Sequence, residues 1–193
     1  MNIALIVLYA STIAWIFPIF RQYKCNMFYF FLFLGLSDPL TILCLKVCHL
    51  SPGIIAVIIA PILFYSLNID RKRKLTINLV EIFVFVLTIV LILTISNYDL
   101  IVLIIHVLIL IRVIYKILIE LHHKQLVSIF HIVMAFYMTT SVASLIIYLN
   151  GDHEAIILFY INLAFQILIA IFFSIFEEDN LKLTFNVTSS FKD

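Results

Sequence analysis

A chain of 193 residues that is 65% hydrophobic and only 12% charged, with a mean hydropathy of +1.21, carries more apolar surface than a soluble fold of its size can hide. About seven spans of roughly 20 residues would use nearly all of it, so no room is expected for a soluble catalytic domain. The net charge of +1 says little as a total, because its meaning lies in where the charges sit relative to the apolar runs.

In chain order those runs predict helices over 2–20, 27–49, 54–69, 76–96, 100–119, 126–149 and 155–176. The expected fold is a single all-α transmembrane bundle over 1–176, followed by a short polar cytoplasmic tail over 177–193. Barrel strands would alternate apolar and polar residues, whereas these runs are continuous and therefore require helices. The breaks carry charges and turn residues: Arg21 to Asn26, Ser51-Pro52-Gly53, Asp70 to Lys74, Asn97-Tyr98-Asp99, Glu120 to Gln125, and Asn150 to His153. The first run has no basic segment before it and no small-residue cleavage signal after it, so it is expected to be retained.

The second run holds the most expensive position. Asp38 lies near its middle, where a charge costs about 2.5–3.5 kcal/mol on insertion scales. Pro39 follows and cannot donate a backbone hydrogen bond to the Gly35 carbonyl, so Gly35 to Pro39 predicts a kink or a break. Ser37 or Asp38 would then cap a half-helix beginning at Pro39. Two roles stand open for Asp38, a proton-exchanging site and a structural cap. Cys44 and Cys48, four residues apart, put only two soft ligands on one face, which points to packing and not to a metal site.

In the fourth and fifth runs, an antiparallel hairpin brings Glu81 level with Arg112 and Lys116, which share one helical face. An ion pair of Glu81 with one of them is expected, either as a structural pair or as a gate or anion site. The sixth run carries Tyr137, Thr140, Ser141, Ser144 and Tyr148 at spacings of three and four, and the seventh carries Asn162 and Gln166 on one face. Asp38, Tyr137 and Gln166 fall at a common depth, roughly 15–18 Å from one end of their spans at 1.5 Å per residue. Asp38, Tyr137, Thr140, Asn162 and Gln166 therefore form the candidate mid-membrane polar site. His106 and His131 are expected to be packed or interfacial, and the solvated pair His122-His123 is given no role.

Eleven of the twelve Lys and Arg residues fall on the side of the first, third and fifth loops and the tail, with Lys46 alone opposite. By the positive-inside rule the N-terminus is expected outside and the C-terminus inside. Asn186-Val187-Thr188 then lies on the side that glycosylation does not reach, and its match to an acceptor is read as chance. The basic run Arg71 to Lys74 suits anionic headgroups better than nucleic acid.

Neither a zincin His-Glu-x-x-His, a Gly-x-Ser-x-Gly elbow, a P-loop nor paired intramembrane aspartates are present, so no catalytic residue, metal site or cofactor is assigned. Only three glycines occur, with no small-xxx-small glycine pair, and bulky Leu, Ile and Phe packing is expected instead of close backbone approach.

In plan the chain resembles the small orphan seven-helix membrane proteins of bacteria, the seven-helix sensor modules that bacteria couple to signalling proteins, and the rhodopsin-like receptors. Retinal-binding relatives carry a lysine in the seventh span, and Glu154 to Phe176 has none. Asp70-Arg71 is similar to the acidic-arginine pair of receptors for G proteins, but no Asn-Pro-x-x-Tyr follows in the last span. The resemblance implies a multi-pass protein of the bacterial inner membrane, in contact with the lipid bilayer. It would act as a sensory or accessory subunit through a protein partner in the membrane or at the cytoplasmic face. Alternatives are a small-solute or proton-coupled transporter centred on Asp38, and a lipid-modifying membrane enzyme. No nucleic acid is expected, and no particular small ligand is indicated.

Overall fold

The structure is a computed structural model that describes residues 3–69, 78–150, 155–180 and 183–186. Among these the chain forms seven helices: α1 (Ile3–Arg21), α2 (Phe28–Val47), α3 (Pro52–Ser66), α4 (Leu79–Thr94), α5 (Tyr98–Lys124), α6 (Ile129–Asn150) and α7 (Ala155–Ile175). Two short strands, β1 (Leu126–Ser128) and β2 (Thr184–Asn186), pair antiparallel with Val127 opposite Phe185. The all-helical class follows from the continuous apolar runs, inside which a backbone can satisfy its own polar groups only by helix formation. Among the described residues three helices, α2, α5 and α6, are long and apolar enough to cross a membrane. At 15 and 16 residues, α3 and α4 extend only about 22–24 Å.

Local chemistry sets the boundaries. Asn97 starts α5 by accepting the Asp99 and Leu100 backbone N–H groups on its side-chain oxygen at 3.1 and 3.3 Å. Gln125 ends α5 in the left-handed region, at φ 52°, with its N–H bonded to the Leu121 carbonyl. Pro52 opens α3, where a missing N–H costs nothing. At the start of α4 the Asn78 backbone N–H donates to the Glu81 carboxylate, the reach-back half of a capping box.

Six helices close into a ring in the order α1, α2, α3, α5, α6, α7, with α7 returning to α1. The remaining helix, α4, lies outside it against α3 and α5, burying only the stripe Glu81, Val84 and Thr88. For reference, the basal end of the bundle carries Gln22, Gln125 and Glu178, and the apical end carries Ser51, Asn97 and Asn150. The exterior is apolar, with Leu79, Leu93 and Phe20 exposed to 84, 80 and 74%.

Two expectations are corrected. First, α2 runs unbroken from Phe28 to Val47 through Pro39, with no half-helix and no cap at Ser37 or Asp38. Ser37 Oγ instead donates back to the Leu34 carbonyl at 2.6 Å, and Thr41 Oγ1 donates to the Ser37 carbonyl at 2.8 Å. Proline removes one bond of the ladder without ending it, because the packed neighbours hold the helix in place. Second, close backbone approach does occur at one glycine: a Cβ on Gly35 would stand 2.5 Å from the Trp15 carbonyl oxygen. A single glycine makes this approach, with no repeated small-residue stripe.

Candidate functional site

The ring encloses a cavity of about 420 Å³ to which all six of its helices contribute. By register its lining runs from Leu34, Leu63 and Tyr137, below the middle of their helices, up to Tyr148 near the apical end. From α2 it takes Ser37, Asp38 and Thr41; from α6, Tyr137, Ser141, Ser144 and Tyr148; from α7, Asn162 and Gln166. The α3 wall is wholly apolar, made of Ala56, Ile59, Ala60 and Leu63. Trp15 and Tyr137 form the floor, their ring centroids 4.8 Å apart. Beneath them Phe31, Phe130 and Phe173 stack at centroid distances of 4.8–6.0 Å and fill the centre of the bundle.

Four of the five residues expected to share a polar layer, Asp38, Tyr137, Asn162 and Gln166, thus line one cavity. Thr140 does not: its hydroxyl donates to the Tyr137 carbonyl at 2.8 Å, and its side chain is outside the lining. Asp38 is half-buried and accepts the Thr12 hydroxyl on Oδ2 at 3.4 Å, a long contact. His106 also reaches the wall, with Nδ1 2.9 Å from the Val102 carbonyl. A carbonyl only accepts, so Nδ1 carries the proton of this bond.

Farther toward the basal end, Glu81 is fully buried and its Oε1 lies 3.8 Å from Arg112 Nη2. The same carboxylate accepts the Asn68 side-chain amide and the Asn78 N–H. The guanidinium of Arg112 rests over the Phe64 ring, 5.3 Å from its centroid. Lys116 is one turn further along α5 and turns to a different acid, with Nζ 2.8 Å from Glu178 Oε1.

Glu178 belongs to the predicted tail, yet it is built into the bundle. Its backbone N–H donates to the Gln22 side chain at 3.1 Å, and its Oε2 accepts the Met27 N–H at 3.0 Å. Gln22, itself fully buried, donates to the Phe173 and Phe176 carbonyls at 2.9 and 2.7 Å, which closes the open end of α7. Burial pushes the Glu178 carboxyl up, but the His131 contact and the Lys116 ammonium outweigh it and hold it down at about 2. His131 is buried between two acids, Nδ1 2.9 Å from Glu120 and Nε2 3.4 Å from Glu178. Neither ring N–H is aligned for a hydrogen bond, so these are charge contacts. A basal cavity of about 340 Å³ borders this cluster, and a wider groove of about 610 Å³ runs past Arg112 and Lys116, whose charges are already paired.

Sequence reasoning missed Gln22, Glu120 and Glu178. A signal existed for Glu178 alone, an acid just past the last apolar run with a surplus of cations on that side. Cys25 is buried near Glu178, and burial pushes its thiol up, away from reactivity. Cys48 is exposed, so packing does not describe it. No group of three potential metal ligands occurs among the described residues. Arg71 to Lys74, Asp70 and Asp152 to Glu154 lie outside the described residues.

No protein-family model matches the chain, and neither a curated protein nor a solved structure is similar to it.

Proposed function

We propose that this is a multi-pass membrane protein of the bacterial inner membrane, with the basal end in the cytoplasm. It binds a small ligand in the apical cavity and passes its occupancy to a protein partner, as a sensory or accessory subunit does. The observation that carries the reading is a polar cavity inside a bundle with an apolar exterior, closed toward the basal end by packed aromatic rings. Lipid tails accept the exposed Phe and Leu side chains, and lining a protein cavity is the ordinary use of polar side chains at such depth. The excess of Lys and Arg at the basal end supports the orientation. A cavity closed at one end binds and reports, whereas passage across the membrane needs a second opening. The ionic cluster beneath the aromatic floor joins α1, α5, α6 and the segment after α7, which gives occupancy a route to the cytoplasmic face.

Purification of the tagged chain in mild detergent is expected to recover a stoichiometric protein partner, and the chain alone in proteoliposomes is expected to conduct no solute. Solute flux that needs Asp38, in the absence of any partner, would replace this reading with the transporter. For orientation, a tag at Asp193 should react only after the cytoplasmic side is opened and one near Asp152 should react from outside. The reverse pattern overturns it.

A further inference from the structure

We propose that the apical cavity takes a small organic cation with an apolar body, an amine or quaternary ammonium, and that the Asp38 carboxylate is its counter-ion. The proposal rests on the pocket reading above and specifies its ligand.

Charge comes first. Among the described residues, Asp38 is the single acid in the lining, and no Lys or Arg reaches it or the cavity wall. A carboxylate inside a low-dielectric bundle is costly until a cation pairs with it. An anionic ligand would find no counter-charge and would face Asp38. A neutral polyol could use the hydroxyls and amides but would leave the carboxylate uncompensated.

The walls then set the shape. From α6 and α7, Ser141, Asn162 and Gln166 offer oxygen acceptors for ammonium N–H groups. Because His106 donates through Nδ1, its neutral form presents Nε2 as a further acceptor. Between α2 and α5, the α3 wall offers no polar side chain at all, so the ligand needs a hydrocarbon portion to lie there. The rings of Trp15 and Tyr137 in the floor suit the face of a cation or a second ring. A bare inorganic ion is a poor fit, since hard cations want about six to eight converging oxygens and the cavity supplies one carboxylate in about 420 Å³. That volume lies within the roughly 300–1,000 Å³ of small-molecule sites.

The test is calorimetric titration of the purified full chain in detergent with three probes of one shape: 2-phenylethylammonium chloride, 2-phenylethanol and sodium phenylacetate. The ammonium is expected to bind at one saturable site at least about tenfold more tightly than the alcohol, and phenylacetate not at all. Asp38→Asn keeps the shape and the acceptor for Thr12. It should weaken the ammonium roughly 30-fold or more while changing the alcohol by less than about threefold. Equal affinity for ammonium and alcohol, preference for phenylacetate, or ammonium binding untouched by Asp38→Asn would each overturn the cation. Each leaves an occupied pocket, and with it the sensory reading. Binding of none of the three also overturns it, and partner capture then decides the sensory reading separately. The comparison of probes on the unmodified chain holds even where the Asn variant folds poorly.

Discussion

Lys116 Nζ sits 2.8 Å from Glu178 Oε1, a pair that joins the middle of α5 to a residue 62 positions later, beyond the end of α7. The acid is almost fully buried and the amine is one-third exposed. Removing one partner of a buried pair strands the other charge, which costs about 3–5 kcal/mol when both are buried and less when one reaches solvent. Glu178→Gln is therefore expected to lower the melting temperature in detergent. Adding Lys116→Met should recover part of the loss. Strict additivity of the two substitutions would show that the pair contributes nothing.

Acid should unfasten the same contact. The Glu178 carboxyl is held at about 2, below its ordinary 4.5, so the folded state favours its charged form. The stabilisation is then complete above about pH 4.5 and is lost progressively as pH falls toward 2, on the order of 3 kcal/mol in all. Glu120 faces the other side of His131, so the imidazole keeps one acidic neighbour in the variant. Melting temperature measured from pH 3 to 7 should fall at the acid end in the parent and fall less steeply in Glu178→Gln. Parallel curves would contradict the assignment.

Glu81 discriminates between Arg112 and Lys116 of α5. Its carboxylate faces Arg112 at 3.8 Å, while Lys116 is engaged elsewhere. Glu81→Gln should destabilise by about 1–3 kcal/mol, since it also disturbs the acceptor of the Asn68 amide and the Asn78 N–H. In double-mutant cycles it should couple to Arg112→Met and not to Lys116→Met. Coupling to Lys116 in place of Arg112 would reverse the pairing.

At Gly35 the added methyl of alanine would meet the Trp15 carbonyl at 2.5 Å and Ile19 Cδ1 at 2.8 Å. A side chain can turn aside, but a carbonyl inside α1 moves only with the helix. Gly35→Ala should cost about 1–3 kcal/mol and shift the fluorescence of Trp15, the one tryptophan of the chain. Gly53→Ala is the control, because its Cβ would stand 3.2 Å from Tyr98 Cβ, close but not prohibitive. Equal effects at the two sites would argue against the close contact of α1 and α2.

Helical class and approximate element positions were legible in the residues, because continuous apolar runs punctuated by Pro52-Gly53, Asn97 and Asn150 leave the backbone one way to satisfy its hydrogen bonds. The depth match of Asp38, Tyr137 and Gln166 was legible too, since rise per residue is constant along a helix. Which faces meet is another matter. Ring closure between α1 and α7, the exclusion of α4, and the choice of Arg112 over Lys116 by Glu81 depend on helix rotation and neighbour order, for which apolar periodicity carries almost no signal when lipid and core are equally apolar. Pro39 read as a kink or a break because the sequence records the missing N–H and not the packing that keeps α2 continuous through it. Gln22 and Glu178 read as loop and tail because their partners lie far away in sequence, 62 positions for Lys116 and 151 for Phe173, and only the folded chain brings them together.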